Sequence, residues 1–189
     1  MSNDTDIITN KKTLTKLFSK QTTVIDKSCQ KNVKSGQSKI QKMIKIITDG
    51  SIPEINLKHL EQAISLNNLN NKIYKKDDFH QINLQLLSNK DIIKLNKEFR
   101  DKEYLPDVLS FDYRQEKMFD HELSGEIFIS LEKAKTQALE KKHSLKEELL
   151  FLTIHGTLHV LGFDHKNDSQ ELEMKKFEDK INNSYKNLT

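Results

Sequence analysis

The sequence predicts an α+β domain, a small mixed β-sheet packed with helices, with one helix buried at its centre. Three observations predict it. His80-Gln81-Ile82-Asn83-Leu84-Gln85-Leu86-Leu87 alternates polar and apolar residues with period two, the pattern of a strand with one buried face. Two further runs, Asp107–Tyr113 and Gly125–Ile129, are strand-like and sit either side of a polar connection, as in a hairpin. The segment opened by Ser144 is apolar nearly all round, through Leu149, Leu150, Leu152, Ile154, Leu158 and Leu161, so it belongs inside the domain rather than on its surface.

Taken in order, residues 1–50 are rich in Lys, Thr, Ser, Gln and Asn and read as a basic, flexible N-terminal extension, with the domain proper at 51–189. Within the extension, Thr22–Asp26 suggests a short strand, and Ile40, Met43, Ile44 and Ile47 recur at helical spacing. Gly50 and Pro53 mark the boundary, and Ile55, Leu57, Leu60, Ala63 and Ile64 predict a helix to about Leu69. Ser88 caps the helix after the first strand, with Asp91 at its third position and Ile92, Leu95, Asn96 and Phe99 along one face. Arg100 ends it. Ser130 begins another helix on Leu131, Ala134 and Ala138. Ser144 and Glu147 form a capping box for the central helix, and Asp168 caps a last helix striped by Met174, Phe177, Ile181 and Tyr185.

The chemistry is concentrated in His155-Gly156-Thr157-Leu158-His159-Val160-Leu161-Gly162-Phe163-Asp164-His165. Histidines four apart share one helix face. Gly162 can take the left-handed conformation that stops the helix and turns His165 back towards the other two. Three neutral imidazoles meeting at one point make a three-ligand metal site with an open fourth position. The spacing is that of H-E-x-x-H-x-x-G-x-x-H zinc proteases, except that Gly156 stands where their general base, a glutamate, belongs. That glycine is expected to leave space beside the metal. Asp164 is a candidate to orient a ligand. His59, His80, His121 and His143 show no such pattern and read as surface residues.

Composition narrows the classes. Charged residues are 31% and hydrophobic ones 35% of 189, the profile of a polar soluble protein. The single Cys29 excludes an internal disulfide, argues for a reducing compartment, and leaves metal binding to histidines and carboxylates. No apolar run approaches the ~20 residues of a membrane span, and the acidic start lacks a signal-peptide core, so a cytoplasmic location and no membrane partner are expected. Ten lysines against four aspartates in residues 1–50 make that arm basic, which suits attraction to a polyanion.

Four ordered segments bear a resemblance. His155–His165 fits H-G-x-L-H-x-x-G-[YF]-D-H without gaps. Leu95–Arg100 fits L-N-x-x-[FY]-R, Asp107–Phe111 reads D-V-L-S-F, and Gly125–Ser130 fits G-[DE]-I-x-I-S; a later M-x-x-x-E survives as Met174 and Glu178. Over about residues 55–185 the chain resembles the YbeY family of bacterial endoribonucleases and ribosomal RNA maturation factors. Pro106 departs from the family's usual threonine and removes a hydroxyl and a backbone donor. The resemblance implies a zinc-dependent endoribonuclease, one Zn2+ per chain, held by His155, His159 and His165. It implies single-stranded RNA as substrate, a role in maturing the small-subunit rRNA 3′ end and in ribosome quality control, the ribosome or its small subunit as partner, no DNA, and Arg100 as the basic residue of the cleft.

The chemistry suits that implication. A three-histidine metal can polarise a phosphoryl oxygen or lower the pKa of water, and a guanidinium can fork onto two non-bridging oxygens. Two rivals stand beside it. A metalloprotease shares the spacing but needs the base that Gly156 lacks. A non-enzymatic, metal-stabilised ribosome-assembly factor would keep the site for stability and binding.

Overall fold

The computed structural model describes residues 44–48, 50, 52, 55–67, 69, 80–113 and 124–189. The described chain runs β1 (Ile44–Ile47), α1 (Leu57–Leu66), β2 (His80–Leu87), α2 (Asn89–Arg100), β3 (Val108–Asp112), β4 (Gly125–Ser130), α3 (Leu131–Glu140), α4 (Leu145–Val160) and α5 (Asp168–Leu188). The four strands form one mixed sheet in the order β1-β2-β4-β3, which fits the expected α+β class. Parallel pairs run from Ile44 opposite His80 to Ile47 opposite Asn83, and from Ile82 opposite Gly125 to Leu87 opposite Ser130. The expected hairpin-like pair is β3 with β4, antiparallel from Val108 opposite Ile129 to Asp112 opposite Gly125.

Alternation along the strands sends side chains into two layers. On one face, Ile82, Leu84, Ile127, Ile129 and Val108 join residues of α1, α4 and α5 in the larger apolar cluster. On the other, Leu109, Phe111 and Phe128 pack with Ile92 and Leu95 of α2, and the Phe111 ring meets Phe99 and Phe128 edge to face, each at 5.7 Å. Helix α4 lies on the first face against β3 and β4, with α3 and α5 beside it. Eleven of its sixteen residues are buried, as its all-round apolar sequence predicts. Among the described residues no helix is long and apolar enough to cross a membrane.

The helix starts follow the predicted caps. Ser88, Ser130 and Ser144 each accept a backbone N–H three residues on, and Ser144 with Glu147 completes the capping box. Three details differ. Asn167 rather than Asp168 caps α5, accepting from the Gln170 N–H, and Asp168 is the first helical residue. Ile44 and Ile47, expected on a helical turn, lie in strand β1. There Ile44 and Ile46 point into the core beside Leu60 and Ala63, so pairing with β2 outweighs the three- and four-residue spacing. The sheet therefore begins before the expected division at residue 50. The suggested strand at Thr22–Asp26 lies outside the described residues.

Candidate metal centre

Helix α4 carries His155 and His159 one turn apart, and its C-terminal cap delivers the third histidine. Gly162 sits at φ 88°, a conformation that suits glycine. Its N–H bonds to the His159 carbonyl (2.9 Å), and the Phe163 N–H bonds to the Leu158 carbonyl (3.0 Å), which together make a Schellman cap. The chain reverses there and brings His165 back to the helix end. One ligand atom from each of His155, His159 and His165 lies within 4.8 Å of the others. All three predicted ligands therefore converge.

The hydrogen bonds assign the proton on two of the rings. His159 Nδ1 lies 3.0 Å from the Phe163 carbonyl oxygen, which can only accept, so Nδ1 carries the hydrogen. His155 Nδ1 donates likewise to Glu178 Oε1 at 2.7 Å. In their neutral forms both Nε2 atoms are then bare lone pairs, and they face each other at 3.1 Å. Neither can donate to the other, so the pair is repulsive unless a cation lies between them. A tetrahedral zinc with bonds of ~2.0–2.1 Å holds its nitrogens about 3.3 Å apart, close to the distance between these two. The donor set fits a metal ion.

Electrostatics point the same way. Burial first, then the charges of His155, His165 and Arg100, bring the His159 pKa down to about 2, against the Phe163 hydrogen bond that raises it. His159 is therefore neutral, as a ligand must be. Arg100, at the C-terminal end of α2, is one of the charges that disfavour protonation of His159. Its Nη2 donates to the Ser110 carbonyl of edge strand β3 at 3.4 Å.

Other expectations fare differently. Gly156 does not open space beside the metal. A Cβ there would lie 2.8 Å from Ile127 Cγ2 and 3.0 Å from Ser110 Oγ, so the glycine faces the sheet and lets α4 approach it closely. The reason is rotation: residue 156 follows His155 by about 100° around the helix, which turns it from the ligand row. Asp164 accepts from the His165 backbone N–H at 2.8 Å and pairs with Lys166 at 2.9 Å. The rings of His159 and His155 are oriented by the Phe163 carbonyl and by Glu178, on α5. Glu178 stands 23 residues beyond His155; the M-x-x-x-E pattern marks it in the sequence, but helix periodicity does not tie it to the histidines.

His80 is buried rather than exposed, with Nδ1 3.2 Å from Ser124 Oγ. The alternation on β2 already hints at this, since His80 shares a face with Ile82 and Leu84. His143 is partly buried and its Nε2 meets the carboxylate of Glu148, a fully buried residue of α4 that also binds Lys141 at 2.9 and 3.1 Å. His59 is partly buried, and His121 lies outside the described residues.

Comparison with known proteins bears on the same residues. A family model described as "Endoribonuclease YbeY" matches residues 49–186. The endoribonuclease YbeY of Bacillus licheniformis is 36% identical over 149 residues, covering 74% of this chain and 92% of that one. That of Carboxydothermus hydrogenoformans is 44% identical over 100 residues, covering 53% and 68%. That of Clostridioides difficile is 39% identical over 111 residues, covering 57% and 72%. The family model over residues 49–186 and these relatives agree with the three-imidazole cage on a buried helix: the chain belongs to the YbeY endoribonuclease family.

Proposed function

We propose that the chain is a zinc-dependent endoribonuclease acting on single-stranded RNA in the cytoplasm, where it matures the small-subunit rRNA 3′ end and serves ribosome quality control. The observation that carries the catalytic part is the convergence of three imidazoles, with the charge of Arg100 felt at His159. The RNA substrate is supported by the names of the relatives, and the ribosomal role by the family resemblance.

His155, His159 and His165 would hold a zinc ion, which would supply Lewis acidity to a bound phosphodiester. The chain's own groups do the rest. Glu178 and the Phe163 carbonyl fix the Nδ1 protons, so both Nε2 lone pairs stay aimed inward through turnover. Arg100 meets the non-bridging oxygens, where negative charge grows in the transition state, and a fork of two N–H donors matches two of them. The close-packed sheet behind α4 keeps the ligand row rigid.

The test is Arg100→Ala, assayed on single-stranded RNA with zinc content measured alongside. Cleavage should slow by roughly 100-fold or more, as for loss of one transition-state donor, with metal unchanged. Loss of zinc would make Arg100 a structural support instead. A His159→Ala control and a parallel casein assay separate the alternatives. RNA cleavage that vanishes in the control supports the nuclease, casein cleavage a protease, and RNA binding without any cleavage an assembly factor.

A further inference from the structure

Helix α4 hides its apolar side chains on every side but one. Between Glu148 and Val160 the exposed residue is Phe151, at 42%, and the half-buried one is His155. Phe151, His155 and His159 are spaced four apart, so they form one row along the helix. The line of ligands therefore continues outward into a phenyl ring that has no core to enter. Its centroid is 5.9 Å from that of His155, with the planes tilted by 31°.

A cation stands over that ring. Lys141 Nζ is 5.3 Å from the Phe151 centroid, and Glu148 holds the ammonium there from below. Glu148 is fully buried, and a buried carboxylate needs its partner, so the tether is strong. A cavity of about 390 Å³ opens at this point; Phe151, Lys141 and Lys186 border it together with the carboxylates of Glu147, Asp179 and Glu178, the last being the residue that orients His155. Glu178 thus links the cavity to the histidine cage.

A single exposed aromatic is ordinary on a protein surface. This one lies on the ligand row, at the mouth of a cavity, with the Lys141 ammonium against its ring. An exposed ring with cations around it is how proteins hold single-stranded nucleic acid: the base stacks on the ring and the lysines meet the backbone. We propose that Phe151 is the stacking platform for the nucleobase next to the scissile phosphate, with Lys141 and Lys186 on the backbone of that nucleotide. The proposal rests on the ribonuclease reading of the cage.

The test uses the full zinc-loaded chain as wild type, Phe151→Ala and Phe151→Trp. Binding of a labelled single-stranded oligoribonucleotide is read by fluorescence anisotropy, KM and kcat by cleavage, and a single abasic position is moved along the oligonucleotide. Phe151→Ala should weaken binding about 5- to 150-fold, the range for one lost base–aromatic stack, and raise KM with kcat within about twofold. Zinc content should not change, and Phe151→Trp should restore binding. One abasic position should weaken wild type by the same factor and leave Phe151→Ala unaffected, because ring and base are then one interaction. Wild-type affinity in Phe151→Ala, losses that simply add at every abasic position, or loss of zinc in Phe151→Ala would each overturn the proposal. Wild type that binds RNA without cutting it would sink the nuclease reading alone, and the abasic scan would still decide the role of Phe151.

Discussion

Replacing Gly156 by alanine sets two effects against each other. Alanine is the better helix former by about 1 kcal/mol, so propensity alone predicts a more stable protein. The structure predicts the reverse. The new methyl would meet Ile127 Cγ2 at 2.8 Å and Ser110 Oγ at 3.0 Å, both on buried strand residues with little room to yield. Overpacking a filled core costs roughly 1–3 kcal/mol, and contact with two confined groups puts this case at the upper end. The net expectation is a loss of about 1–2 kcal/mol, or roughly 2–8 °C in Tm for a chain of this size. Urea titration of zinc-loaded wild type and Gly156→Ala measures it. Equal or greater stability in the variant would refute the close approach of α4 to β3 and β4. Gly156→Glu extends the argument. It restores the residue that zinc proteases carry, yet here its carboxylate would be driven into the sheet, so it should lose more stability and gain no casein cleavage.

Two further outcomes follow from the hydrogen bonds of the cage. Glu178→Gln keeps the shape but weakens the acceptor on His155 Nδ1, so zinc affinity in a competitive chelator titration should fall about 10- to 100-fold; unchanged affinity would show that His155 needs no such partner. Metal-free protein should lose stability as pH falls below about 6.5, because the unfolded chain then protonates His159 while the folded chain, with its pKa near 2, does not. From pH 6.5 to 5 that amounts to at most about 2 kcal/mol, read as a shift in the urea midpoint, and His159→Gln should flatten this part of the profile.

What the sequence makes legible is what lies close along the chain. The cage spans His155 to His165, and helix periodicity plus one glycine suffices to fold it. The serine caps are likewise local, each set by a hydroxyl and an N–H three residues on. Strand β1 was not legible, because Ile44, Ile46 and Ile47 fit either period and only the partner strand 36 residues away decides between them. The function of Glu178 is hidden for the same reason: it exists only once α5 lies against α4. Gly156 misleads in another way. The motif says which side chain is missing but not which way it would have pointed.

The shortness of the cage has a thermodynamic consequence. Ligands at positions 155, 159 and 165 close only small loops, so a bound ion removes little freedom from the unfolded chain. The unfolded segment also keeps all three imidazoles and can itself chelate zinc, which subtracts from the stabilisation the ion confers on the folded protein. The folded site's advantage over that peptide would lie in its aimed and buried rings, held by Phe163 and Glu178. Zinc should therefore raise the melting temperature by less than its affinity suggests, and the shortfall measures how well the bare segment binds.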